Sequence, residues 1–144
     1  MKQRTPPVTP AVVVSGLALA LSSPGVLASA ESAVHTQGNV TYVVGGLAKA
    51  DANAIEHAAP FYSLQLEFLR KAEPKDEYLS HVKVRIKDAQ GKMVLDVTTD
   101  GPFLLARLPA GKYTVSAARD GEVKSRIVRV IPHRHQRAVF RWQA

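Results

Sequence analysis

The sequence predicts an all-β fold: an antiparallel β-sandwich of about seven short strands with one short N-terminal helix. Three observations point there. Apolar and polar residues alternate with a period of two in run after run beyond Phe61. Turn signals built from Gly, Pro, Asn and Asp recur at roughly 8–12-residue spacing. Only one stretch, close to residue 51, has the composition of a helix.

The first 30 residues have a separate character. Lys2 and Arg4 make a basic start, AVVVSGLALAL (11–21) is an apolar run, and SSPGVLASA follows. Ala28 and Ala30 then occupy the small-residue positions of an A-x-A cleavage site, the pattern of a secretory signal peptide over residues 1–30. The apolar run is too short for a membrane anchor, since spanning takes about 20 residues. With no cysteine in the chain there is no lipid-attachment site. The expected location is periplasmic or secreted, as soluble protein without a transmembrane anchor. In such an oxidising compartment a cysteine-free domain must be stabilised by packing alone.

Removing Lys2 and Arg4 from the 19 basic residues leaves 17 against 12 acidic ones, a mature net charge of about +5. Export argues against nucleic acid as the partner of that surplus. The expected partner is another envelope protein or an anionic envelope component.

Along the mature chain, ESAVHTQGN (31–39) reads as a flexible arm and residues 40–144 as one domain. VTYVV (40–44) is a short strand ended by Gly45-Gly46. DANAIEHAA (51–59) suits a short helix, with Asp51 as N-cap and Pro60 closing it. In SLQLEFLR, Leu64, Leu66 and Phe68 share a face. In HVKVRIKD, Val82, Val84 and Ile86 point inward while Lys83, Arg85 and Lys87 point outward. KMVLDVTT and FLLARL follow, then the turn Leu108-Pro109-Ala110-Gly111, after which Tyr113, Val115 and Ala117 share a face. Asp120-Gly121 signals a hairpin into EVKSRIVRVI, where adjacent Ile127 and Val128 leave the facing open and a bulge possible. RAVFRW closes the domain, with Ala138, Phe140 and Trp142 on one side.

Motifs of known chemistry are sparse. Gly111-Lys112 and Gly91-Lys92 are followed by Tyr113 and Met93 and lack the earlier glycine of a phosphate-binding loop. The histidines, His35, His57, His81, His133 and His135, form no H-E-x-x-H, and no G-x-S-x-G is present. If His133-Arg134-His135 is extended, both imidazoles project the same way and could share a metal. No cofactor is expected. The cationic stripe Lys83, Arg85 and Lys87 is the most physical candidate for a binding face, joined by Lys124 and Arg126 if their strand presents them nearby. Gly45 and Gly46 are candidates for close approach of another backbone.

Residues 98–115, TTDGPFLLARLPAGKYTV, resemble the T-x-x-D/N-G-x-F/Y…L-P-x-G-x-Y-x-V signature of carboxypeptidase regulatory-like domains. With YVVGG, YSLQLEFL and HVKVRIKDAQGKMVLD, nearly the whole mature chain is similar to small exported proteobacterial proteins of that family. The resemblance implies a transthyretin-like (prealbumin-like) sandwich and names no activity. The similarly folded 5-hydroxyisourate hydrolases end in Tyr-Arg-Gly-Ser, whereas this chain ends Arg141-Trp142-Gln143-Ala144. The expectation is a non-catalytic binding or accessory module. Its alternatives are a small periplasmic hydrolase using His57, His133 or His135, or metal binding by the His133/His135 pair.

Overall fold

A computed structural model describes residues 33–144; the expected signal segment, with Ala28 and Ala30, lies outside them. Among the described residues the strands are β1 (Val34–Gln37), β2 (Val40–Gly45), β3 (Leu64–Arg70), β4 (Glu77–Tyr78), β5 (Lys83–Lys87), β6 (Met93–Thr98), β7 (Phe103–Arg107), β8 (Gly111–Arg119), β9 (Glu122–Val130) and β10 (Gln136–Trp142). One helix, α1 (Lys49–Ala58), runs into a 3-10 turn over Ala59–Phe61. The strands form two sheets. Sheet A has the order β1-β2-β7-β3-β10, with β4 paired to the end of β3, and sheet B has the order β6-β5-β8-β9.

The core between the sheets is built from the faces that alternation marks. Leu64, Leu66 and Phe68 of β3, Leu104 and Ala106 of β7, and Phe140 and Trp142 of β10 meet Val84, Ile86, Val115 and Ala117 of sheet B. The Phe68 ring stacks on Phe140 with centroids 5.9 Å apart and lies 6.5 Å from Trp142. β7 is apolar on both faces for a separate reason. Its other face, Leu105 and Phe103, packs with Val43 under Ile55, Ala59 and Tyr62 of the helical segment. A strand covered on both sides needs a continuous apolar run, which is why FLLA breaks the alternation.

Four expectations are corrected. Among the described residues the strand count is ten, above the seven or so expected: the eight alternating or apolar runs each form a strand, and β1 and the two-residue β4 are added. Residues 34–37 are no flexible arm but pair antiparallel with β2 through a turn at Gly38, whose φ is 57°. The pairing is not wholly antiparallel, since β10 returns to lie parallel to β3. Finally, α1 starts two residues early, at Lys49, so Asp51 is not its N-cap; the carboxylate accepts instead the Gly46 N–H at 2.6 Å.

At the glycine pair, the closely approaching backbone belongs to this chain. A Cβ on Gly101 would fall inside the backbone of Gly45, and one on Gly46 inside the Phe103 ring. Both glycines of the pair are buried. They serve the crossing of β2 and the Gly101-Pro102 corner, and Gly45 and Gly46 offer no surface to a partner.

Candidate functional site

The outer face of sheet B follows directly from strand register. Val84, Ile86, Tyr113, Val115 and Val128 turn inward, so their neighbours must turn outward. Across the sheet, Lys83 aligns with Thr98 and Ala118, Arg85 with Asp96 and Ser116, and Lys87 with Met93 and Thr114. On β8 and β9, Lys112 lies beside Arg129, Thr114 beside Ile127, and Ser116 beside Ser125. The stripe expected from β5 is therefore real and wider than expected. Lys83, Arg85, Lys87, Lys112 and Arg129 share one face with the single carboxylate of Asp96, 3.6 Å from Arg85. Small side chains fill the middle of this face, and Val123 and Ile127 stand exposed at its β9 edge.

Lys124 and Arg126 do not join it. They align with inward Ala117 and Val115, so they occupy the core-side face of β9. There the Lys124 ammonium sits 5.9 Å from the Trp142 ring centre and the Arg126 guanidinium 5.5 Å from that of Phe140. At the rim of a sandwich a long cationic side chain can cover aromatic rings with its stem and keep its charge in water. These two cations close the edge of the core.

On sheet A three of the four strand arginines have carboxylate partners, and the fourth, Arg107, donates to the Phe61 carbonyl. Arg70 pairs with Glu77 at 3.0 Å, Arg141 with Asp76 at 2.7 Å, and Arg137 with the buried carboxylate of Glu67. The hydrogen bond and charge of Glu67 push the Arg137 guanidinium up from its ordinary value. Glu67 and Arg137, with α1, border a cavity of about 410 Å³ that Asn53, Glu56, Gln65, Tyr78 and Phe103 also line.

The three histidines of interest divide between two other cavities. His57 borders an apolar one of about 500 Å³, with Val34, Val43, Ile55 and Tyr62. His133 and His135 border another of about 540 Å³. His133 has a φ of 61°, which breaks the extended stretch that would aim both imidazoles alike. The His135 Nδ1 lies 2.8 Å from the Tyr62 carbonyl and Nε2 lies 3.1 Å from the Gln65 side-chain oxygen. A carbonyl only accepts, so Nδ1 carries a proton and is not a free metal ligand. Ser63, in the same cavity, spends its hydroxyl on backbone: it faces the carbonyls of Ala106 and Leu108 at 3.2 Å and accepts the Leu108 N–H at 2.8 Å. Among the described residues no group of three or more His, Asp and Glu side chains is placed to hold a metal ion.

Lys112 and Arg129 went unremarked in the sequence, although strict alternation about Tyr113 and Val128 places them outward. Arg107, which also borders the His133/His135 cavity, closes an apolar run and carries no such signal. No protein-family model matches the chain, and no curated protein matches it.

Proposed function

We propose that the chain is an exported, non-catalytic binding module of transthyretin-like build, related to carboxypeptidase regulatory-like domains. Its outer sheet B face docks on an anionic phospholipid surface of the cell envelope. The observation that carries it is the imbalance of that face: five outward cations against one carboxylate, on the sheet that α1, packed on Val43 and Leu105 of sheet A, leaves uncovered. On sheet A three of the four strand arginines have a carboxylate partner, against one, Arg85, of the five cations on the sheet B face. The small residues Ser116, Ser125 and Thr114 keep the cationic face flat, a shape suited to a plane of headgroups. The fold and family supports are the two sheets, the covering helix and the L-P-A-G turn that Tyr113 closes. Among the described residues no helix is long and apolar enough to cross a membrane, so attachment in this reading is peripheral.

Each basic residue held near an anionic leaflet contributes about 1 kcal/mol. Exposed charges are screened within about 10 Å at 0.1 M salt, so such binding is salt-sensitive. Residues 31–144 should co-sediment with vesicles of mixed phosphatidylglycerol and phosphatidylcholine at about 50 mM salt and lose most of that retention at about 500 mM. Equal retention on pure phosphatidylcholine, or retention indifferent to salt, overturns the reading. Salt-sensitive capture of an envelope protein without vesicle binding would also overturn it, in favour of a protein partner.

A further inference from the structure

The cavity beside His133 and His135 lies where the chain crosses from β9 of sheet B to β10 of sheet A, against the corner that follows α1. Its cationic lining is Arg107 and Arg134, beside the imidazoles of His133 and His135, with no aspartate or glutamate among the lining residues. Its remaining walls include Leu108, Val130, Ile131 and Pro132, and Phe61 stands 73% exposed at its border. Cationic groups set among apolar walls without a counter-charge focus a positive potential on the space between them.

Two of these groups are already oriented. The Arg107 guanidinium donates from Nε and Nη2 to the Phe61 carbonyl at 3.3 and 3.1 Å, and stacks 4.8 Å from the Tyr62 ring centre. That fixes its plane while leaving N–H donors on Nη1 and Nη2 uncommitted. The His135 ring is held between Tyr62 and Gln65. Anchored donors lose little side-chain freedom when they take up a ligand, which favours affinity.

From this arrangement we infer that the cavity binds a small organic carboxylate with an apolar or aromatic body. The carboxylate pairs with Arg107 and Arg134, and the body lies against Leu108, Val130 and Ile131. The volume of about 540 Å³ falls within the range of small-molecule sites. An arginine fork matches a carboxylate, and the apolar walls select against a bare inorganic anion. The site lies at the end of the sandwich where the two sheets are joined and uses none of the five sheet B face cations, so its test is separate from that of the lipid-docking reading.

The test uses residues 31–144 with phenylacetate, neutral phenylacetamide and inorganic phosphate as probes, followed by titration calorimetry and by NMR of the Arg107 side-chain Nε–H. Phenylacetate is expected to bind and shift that resonance. Phenylacetamide and phosphate should each bind at least about tenfold more weakly, as expected when a charged hydrogen bond or the apolar contact is lost. Arg134→Gln, on an exposed turn, should leave the melting temperature unchanged and weaken phenylacetate about tenfold. Arg107→Gln should weaken it at least as much; if that variant fails to fold, Arg134→Gln carries the test. No phenylacetate binding up to roughly 10 mM, equal binding of the acid and the amide, or unaltered affinity in Arg134→Gln overturns the inference.

Discussion

Tyr113 donates its phenolic hydroxyl to the Pro109 carbonyl at 2.7 Å and closes the turn that precedes β8. Burial first, and the Asp88 carboxylate second, push this phenol up from its ordinary value of 10.0. The folded state therefore favours the neutral phenol. Its contribution is complete below the unfolded value and is lost as pH rises through the folded one. Tyr113→Phe is expected to cost about 1 kcal/mol at neutral pH. Urea denaturation between about pH 9 and 11 should show a shallower alkaline loss for the variant than for wild type; parallel curves would contradict the assignment. The glycines give a second contrast at this scale. Gly101→Ala places a methyl in the backbone of Gly45 and should cost about 1–3 kcal/mol. Gly121→Ala, at a φ of 82° with open space around it, suffers only backbone strain of about 1–2 kcal/mol. Chemical denaturation of the pair orders the two effects.

At the scale of elements, both open edges of the sandwich are closed by side chains. On one side the Gln37 amide of β1 reaches across to β6, donating to the Asp96 carbonyl at 3.1 Å and accepting the Asp96 N–H at 2.7 Å. A side-chain amide thus stands in for a neighbouring strand and blunts an edge that invites pairing with another molecule. Gln37→Ala should lower stability by about 1–2 kcal/mol and raise concentration-dependent association, read by denaturation and light scattering. On the other side Lys124 and Arg126 cover Trp142 and Phe140. These edges are where the sequence was hardest to read. The β5 and β8 faces were legible because each buries one side, so Ile86 and Val115 alternate with polar neighbours; in β3 Leu64, Leu66 and Phe68 alternate with polar Gln65 and Glu67 although Glu67 is buried as well. In β9 the core-side positions include Lys124 and Arg126, which blurs the alternation. Its pairing with β8 is regular with Ile127 outward and Val128 inward, and the irregularity lies instead at Ile86/Lys87. β1 pairs along one edge and buries little, leaving no periodic signal, and the parallel return of β10 is a property of strand order. Of the candidate site, Lys83, Arg85 and Lys87 were legible from alternation. The grouping of Arg107 with His133 and His135 depends on the crossing of sheets and was not.

For the whole molecule, stability rests without disulfides on the core between the sheets, centred on Phe68 beside Phe140 and Trp142, and on the smaller cluster under α1. Phe68→Ala should cost about 3–5 kcal/mol, a large part of the 5–15 kcal/mol typical of a domain. A melting curve close to wild type would show the core to be organised otherwise. Around that core the charge is unevenly placed, with three of four strand arginines of sheet A paired to carboxylates but only Arg85 of the five cations on the sheet B face. The most direct measurement of whether this asymmetry is functional compares two variants of equal charge in vesicle partitioning at low salt. One is Lys83→Gln/Lys87→Gln/Arg129→Gln, on the sheet B face; the other is Lys49→Gln/Lys71→Gln/Lys75→Gln, away from it. With about 1 kcal/mol per basic residue, the first should lose about 100-fold in affinity for phosphatidylglycerol vesicles and the second less than tenfold. Equal losses in the two variants, or no loss in the first, would contradict a dedicated cationic face.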